Sequence, residues 1–338
     1  PSAAPIRHVV PAGDVEIPAP PSLAGHPFRL CILHFNDLHG QVSHITPDGD
    51  RPVFSRMVWR LRQLRSQSRS NPHAAVLCMS GGDDLVGAVF DELLGDDPGS
   101  YVVHTGYHLY SAAGVDVGVL GNHDFDRGTR LLAHAIERDA CFPLLSANLQ
   151  ALPPLADLVY PAALLVVKGI RVGIIGLTTP AEIKPTRGGS FCITHPVTAV
   201  QNLLPAMQPL CDVLIILSHL GRSLAASTAA TLDAGDVEVA QSLPAGNVHL
   251  IVGGHTHQAM NEQGLDIANV VNGIPIVQAG TLGRFLGEVD ITVGRRTAVT
   301  NARLTATADL PVDEDFEREA VQPLLDRVRP VFARSPVS

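Results

Sequence analysis

Paired cysteines, a long apolar run and an excess of basic residues are all missing from this chain, and each absence narrows what it can be. The five cysteines, Cys31, Cys78, Cys141, Cys192 and Cys211, form no CxxC pair and are odd in number, which speaks against a disulfide framework. Cys31 and Cys78 sit inside apolar runs, where a buried free thiol is expected. Taken alone, that points to a reducing, cytoplasmic compartment. The most apolar stretch, 152–180, is broken by Asp157, Lys168 and Arg171, so no segment is long enough to span a bilayer. The first 21 residues are rich in proline and alanine but lack the basic-then-apolar order of a signal peptide. They are expected to form a flexible lead-in covering 1–27. Basic residues number 24 against 33 acidic ones, for a formal charge of -9, a balance unsuited to duplex nucleic acid. An anionic substrate would need its positive charge from something other than side chains.

What is present is a core. With 338 residues and 46% hydrophobic content, the chain can bury one large α/β domain or two ordinary ones. Short apolar runs recur at 30–35, 74–79, 115–120, 143–146, 170–176, 213–217, 248–252 and 274–278. Most are continuous rather than alternating, as in strands covered on both faces. Helix-period segments lie between several of them, at 51–65, 101–113, 129–138 and 236–243, the last with Asp236 as its expected N-cap. Alternating strands and helices imply a layered α/β fold, and crossovers of uneven length suit stacked sheets better than a regular eightfold barrel. The alternation of Val289, Ile291 and Val293, followed by 302–307, reads as a closing hairpin. One main domain is expected over 28–308 and a linker or docking helix over 309–338, kinked at Pro323.

The chemistry follows the strands. Asn36, Asp37, Leu38, His39 and Gly40 come after the first run; Ser80, Gly81, Gly82, Asp83 and Asp84 after the second; Gly121, Asn122, His123, Asp124 and Asp126 after the third. Ser218 and His219 follow the 213–217 run, and Gly253, Gly254, His255, Thr256 and His257 follow the 248–252 run. Open α/β sheets place ligand sites at such C-terminal strand ends, and Asp, Asn and His together suit divalent ions of intermediate hardness, Mn²⁺, Zn²⁺, Fe or Co²⁺. There are too many candidates for one ion. Two ions about 3.5–4 Å apart would use them all and form a clamp for in-line attack on phosphorus.

These stretches resemble the calcineurin-like metallophosphoesterase superfamily, and within it the N-terminal catalytic domain of the 5'-nucleotidase family. The resemblance extends through 142–149 and 278–284, and it implies a layered α/β fold of two stacked mixed sheets flanked by helices. It implies that Asp37, His39 and His257 hold one metal, that Asn122, His219 and His255 hold the other, and that Asp83 bridges them. It further implies that His123 faces the substrate as proton donor or transition-state stabiliser, oriented by Asp126, while a metal-bridged hydroxide attacks phosphorus. The expected activity is that of a phosphomonoesterase on a small phosphorylated substrate, a nucleotide, with no nucleic acid duplex and no membrane span involved. Cyclic-nucleotide diesters, UDP-sugars and a thiohydrolase reaction are alternatives on the same metal core, and an inactive metal-holding module is an alternative of another class. The resemblance also implies a periplasmic or extracellular location, against the cysteine reading.

Most of the 15 histidines are expected to be caps or solvated side chains, among them His34, His104, His195 and His249. Asp84 and Asp124 are expected to supply helix N-terminal charge rather than ligands. On residues alone, Asp126 suits an N-cap for the helix at 129 as well as it suits an orienting role. Arg56 and Arg284 are within the set that could approach a phosphate, but Arg56 equally suits the solvated outer face of its helix, and neither is counted as a site residue. The family's second domain, which carries its base-binding and phosphate-binding residues, has no counterpart in this sequence, so the resemblance implies the reaction class more closely than the substrate.

Overall fold

A continuous apolar run becomes a strand when both its faces are covered, because successive side chains then point into two different cores. The computed structural model of the chain describes residues 6–8, 27–46, 49–181, 183, 191–223, 228 and 230–332. Apart from 6–8 and 27, the expected lead-in lies outside these residues, and so does His26.

Two seven-stranded sheets organise the molecule. Their strands are β1 (Ile6–His8), β2 (Phe28–Phe35), β3 (Ala74–Ser80), β4 (Val117–Val119), β5 (Leu144–Leu145), β6 (Val159–Tyr160) and β7 (Ala162–Val167). They continue as β8 (Ile170–Thr178), β9 (Val213–His219), β10 (Leu250–Val252), β11 (Val270–Val271), β12 (Ile274–Val277), β13 (Phe285–Val293) and β14 (Ala298–Ala306). The first sheet has the order β14-β13-β2-β3-β4-β5-β6 and the second β1-β7-β8-β9-β10-β12-β11. In the first, β2 to β6 are parallel neighbours, and the β13–β14 hairpin adds antiparallel against β2. In the second, β8, β9, β10 and β12 are parallel. Both sheets are therefore mixed.

Leu30, Ile32, Leu77 and Met79 of the first sheet share one core with Val172, Ile174, Ile215 and Leu217 of the second. The alternate residues Leu33, Phe35 and Cys78 face a second core with α1 (Phe54–Arg69), α2 (Thr105–Ala113) and α3 (Thr129–Asp139). Ile175, Leu214 and Ile216 face a third core with α4 (Pro196–Met207) and α5 (Asp236–Ser242). The result is four layers, helix, sheet, sheet and helix, which is the fold class expected from the sequence. Strand β7 and helix α4 add to the elements read there.

Three local expectations are corrected. Helix α1 starts at Phe54 rather than 51, because Arg51 and Pro52 pair with Ser43 and His44 in a short ladder. Gly235, not Asp236, caps α5; its amide donates to Glu238 at 2.9 Å, while Asp236 accepts from the Ser218 hydroxyl at 2.5 Å. Asp126 does not cap α3, whose N-cap is Gly128.

The C-terminal segment forms a helical turn (Glu314–Phe316), a π-helical stretch (Glu317–Val321) and α6 (Gln322–Phe332). The wide π turn directly precedes Pro323, where an ordinary helix would lose a hydrogen bond. Phe316, Val321, Leu324, Leu325 and Val328 are buried in the same core as α1, so this segment docks on the sheet-and-helix body. No helix among the described residues is long and apolar enough to cross a membrane.

Candidate metal centre

Parallel strands end on the same side, so β2, β3 and β4 present their following turns together, as do β9 and β10 in the other sheet. Backbone bonds lock these turns to one another. The Asp37 amide donates to Gly82 O at 2.9 Å, and the His39 amide to Asp83 O at 3.0 Å. Across the sheets, the His255 amide donates to Asp37 Oδ2 at 2.9 Å, and His219 Nδ1 meets Gly81 O at 2.5 Å.

Two clusters result. Asp37, His39 and His257 form one, and Asp83, His219 and His255 the other, each with ligand-type atoms within 4.8 Å of one another. In the first, His257 Nε2 lies 3.2 Å from Asp37 Oδ1 and 3.3 Å from His39 Nε2. In the second, His219 Nε2 lies 3.0 Å from Asp83 Oδ2. The clusters adjoin, since Asp37 Oδ1 is also 3.8 Å from His219 Nε2. Asn122, at the end of β4, brings a buried side chain whose oxygen and nitrogen both lack a hydrogen-bond partner. His219 Nε2 is also buried without a proper hydrogen bond, despite its closeness to Asp83. Buried polar atoms left this way are costly unless something else satisfies them. A pair of divalent cations fits that requirement.

Close approach sets the turn sequences. A side chain on Gly121 would place its Cβ 2.1 Å from Asp83 Oδ1. Gly82 has φ +88°, and a Cβ there would come within 2.8 Å of both Gly121 N and His219 Nδ1. Asp37, His39, Asp83, His255 and His257 themselves have φ between 47° and 73°, a left-handed conformation that costs an L-residue roughly 1–2 kcal/mol. Such strain collects where function requires a set geometry.

Carbonyl oxygens fix ring orientation. His39 Nδ1 is 3.0 Å from Val86 O, and His219 Nδ1 faces Gly81 O. A carbonyl only accepts, so Nδ1 carries the proton and Nε2 is turned to the cluster. Charge balance points the same way. Burial would lower the His219 pKa, but the facing carboxylates of Asp83 and Asp37 outweigh it and lift it to about 10. Burial would raise Asp83, yet His219 and His39 carry it below the usual carboxylate range. The hydrogen bond to Asp37 raises His257, while burial lowers His39. The carboxylates call for positive charge here, which answers how an acidic chain could hold an anion.

His123 stands beside the clusters. Its Nδ1 lies 2.8 Å from Asp126 Oδ2, its ring is 5.3 Å from that of His39, and its amide donates to Asp83 Oδ1 at 2.9 Å. Of the two candidate arginines, only Arg56 is committed to backbone carbonyls. Arg56 donates to Pro52 O, Ala308 O and Leu310 O, and Arg284 lies over the Phe285 ring. Asp84 is not at a helix N-terminus: it is buried and accepts from the Ser80 hydroxyl. Asp124 lies in the 3-10 turn His123–Phe125 and accepts from Gly121 N at 2.7 Å. Asn36 joins the site without any role expected from its sequence position. Its amide nitrogen donates to Asp37 Oδ2 at 2.6 Å and to Gly280 O at 2.7 Å, and its oxygen accepts from Ala279 N. The signal was a polar residue directly after an apolar strand.

The calcineurin-like phosphoesterase family model matches residues 31–259. The chain belongs to this family. It is similar to the bovine 5'-nucleotidase, with 26% identity over 88% of this chain and 52% of that protein. It is also similar to the 5'-nucleotidase of Vibrio cholerae, with 29% identity over 82% of this chain and 51% of that protein. The chain thus spans about half the length of the curated relatives it matches. Among solved structures, a 5'-nucleotidase precursor from Thermus thermophilus superposes with a TM-score of 0.68 at 25% identity, covering 90% of this chain and 59% of that one. A calcineurin-like phosphoesterase from Bacillus subtilis gives a TM-score of 0.68 at 21% identity, over 90% and 99% of the two chains.

Proposed function

We propose that this member of the family is a metal-dependent phosphomonoesterase acting on nucleotide-like esters. The observation that carries the reading is the pair of adjoining ligand clusters, Asp37, His39 and His257 against Asp83, His219 and His255, with His123 at their edge. Asp37, His39 and His257 would hold one divalent ion, Asn122, His219 and His255 a second, and Asp83 would serve both. Two such ions supply Lewis acidity at a phosphoryl oxygen and an activated water for in-line attack. The chain's own residues supply the rest. Asp126 holds the His123 ring through Nδ1, which turns Nε2 towards the reacting group. From there His123 donates a proton to the departing alkoxide or steadies the charge developing on the phosphoryl oxygens. Nucleotide as the substrate class is supported by the named activity of the relatives.

The test is hydrolysis by the protein supplemented with Mn²⁺, Co²⁺ or Zn²⁺, over nucleoside monophosphates, cyclic nucleotides, UDP-sugars and p-nitrophenyl phosphate esters. Turnover of nucleoside 5'-monophosphates is expected. Selective turnover of diesters or UDP-sugars, or none at full metal loading, would contradict the reading.

A further inference from the structure

Behind the two clusters lies a second acidic group that neither cluster uses. Asp84 is fully buried; one carboxylate oxygen accepts from Ser80, and its backbone oxygen accepts from Gly40 N at 3.2 Å. Asp124 Oδ2 accepts from Gly121 N. The remaining oxygens, Asp84 Oδ2 and Asp124 Oδ1, are buried with no hydrogen-bond partner, and so are the hydroxyls of Tyr107 and Tyr110 on α2. Two pairs stand within interaction range, Tyr107 with Asp124 and Tyr110 with Asp84, though neither has full hydrogen-bond geometry. Burial, reinforced by these carboxylates, keeps both phenols far above their usual range and hence protonated. Four polar groups without conventional partners, gathered in one place, form a connected set rather than scattered defects.

The helix is built to come this close. A Cβ on Gly106 of α2 would stand 3.2 Å from the Asp84 backbone oxygen. The two rings have little freedom to move away. Tyr107 stacks on His104 at 3.6 Å, and Tyr110 packs at 5.0 Å against both Phe35 and Phe54.

We propose that Asp84 and Asp124, braced by Tyr110 and Tyr107, are positioning residues that hold the turn carrying Asp83 against the turn carrying Asn122 and His123. Asp84 anchors the first turn through Ser80 and Gly40, Asp124 anchors the second through Gly121, and the two tyrosines tie both to one rigid helix. The consequence for metal rests on the proposed function; the bracing of the turns does not. Removing partners that orient metal ligands typically costs about 10–100-fold in metal affinity.

The test uses Tyr107→Phe, Tyr110→Phe and Asp84→Asn, singly so that folding is retained, with Tyr160→Phe as a tyrosine control outside the group. Amide hydrogen exchange at 80–84 and 121–124 is measured on the metal-free protein, and Mn²⁺ affinity by equilibrium dialysis. Exchange at both turns is expected to accelerate in the three variants, with Mn²⁺ binding weakened about tenfold and Tyr160→Phe unchanged. kcat should fall while KM stays. Unchanged exchange at the turns, with only a lower melting temperature, would overturn the brace. Failure of the wild-type protein to bind Mn²⁺ would instead overturn the metal reading, and the exchange result would still decide the brace.

Discussion

His123 Nδ1 lies 2.8 Å from Asp126 Oδ2, three residues along the same turn. The contact holds the ring through Nδ1, and neither residue belongs to a ligand cluster. A positioned general acid, the role proposed for His123, typically contributes roughly 10²–10⁴-fold to rate. His123→Ala is therefore expected to lower turnover by that order while metal content, read by elemental analysis, stays at the wild-type level. Asp126→Asn is expected to lose less, about tenfold, because the ring is misdirected rather than removed.

Asp83 stands at the junction of everything else. Its carboxylate meets His219 at 3.0 Å and accepts from the His123 amide. Asp83→Asn is expected to abolish metal binding and activity together. Retention of two ions by this variant, measured after dialysis, would remove its proposed bridging place.

The clusters differ in shelter. The His257 side chain is 46% exposed, whereas that of His219 is fully buried. Chelator is therefore expected to strip the metal in two steps, losing first the ion held by Asp37, His39 and His257. His257→Gln should keep one ion per chain where wild type keeps two. Mn²⁺, Co²⁺ or Zn²⁺ added back should restore turnover.

Acid should act on stability through buried histidines outside the centre. Burial pushes His34 down to about 4 and His104 down to about 3, against about 6.5 in the unfolded chain. Between those values the unfolded state binds the extra proton, so stability falls as pH falls from 6.5, by roughly 1.4 kcal/mol per pH unit for each group. Asp236 has the opposite sign: burial lifts it to about 7, so the folded state is the one that binds its proton. The difference between wild type and a variant isolates one group. Urea midpoints at pH 7 and pH 5 are expected to show a smaller acid loss for His34→Gln than for wild type.

Much of the fold and of the candidate site was legible because parallel strands buried on both faces read as unbroken apolar runs. The break at 36–40, 80–84, 121–126, 218–219 and 253–257 then exposes the residues that matter. What escaped depends on distant partners. Asn36 finds Ala279 across 243 positions, and Asp236 finds Ser218 on another element, which no local pattern announces. The left-handed backbone at Asp37 or His257 is equally silent in sequence, since neither residue type requires it. Tyr107 and Tyr110 read as core positions of a helix; only the approach of α2 to Asp84 and Asp124 gives their hydroxyls a setting. Pro52 falls within the helix-period stretch 51–65, whereas its pairing with Ser43 is tertiary.

Seven side chains from both sheets are proposed to cage two cations. The most direct measurement is an anomalous-difference map from crystals of the Mn²⁺-loaded protein. Two peaks about 3.5–4 Å apart are expected, one against Asp37, His39 and His257, the other against Asn122, His219 and His255, with Asp83 between them. A single peak, or none within reach of these residues at saturating Mn²⁺, would contradict it.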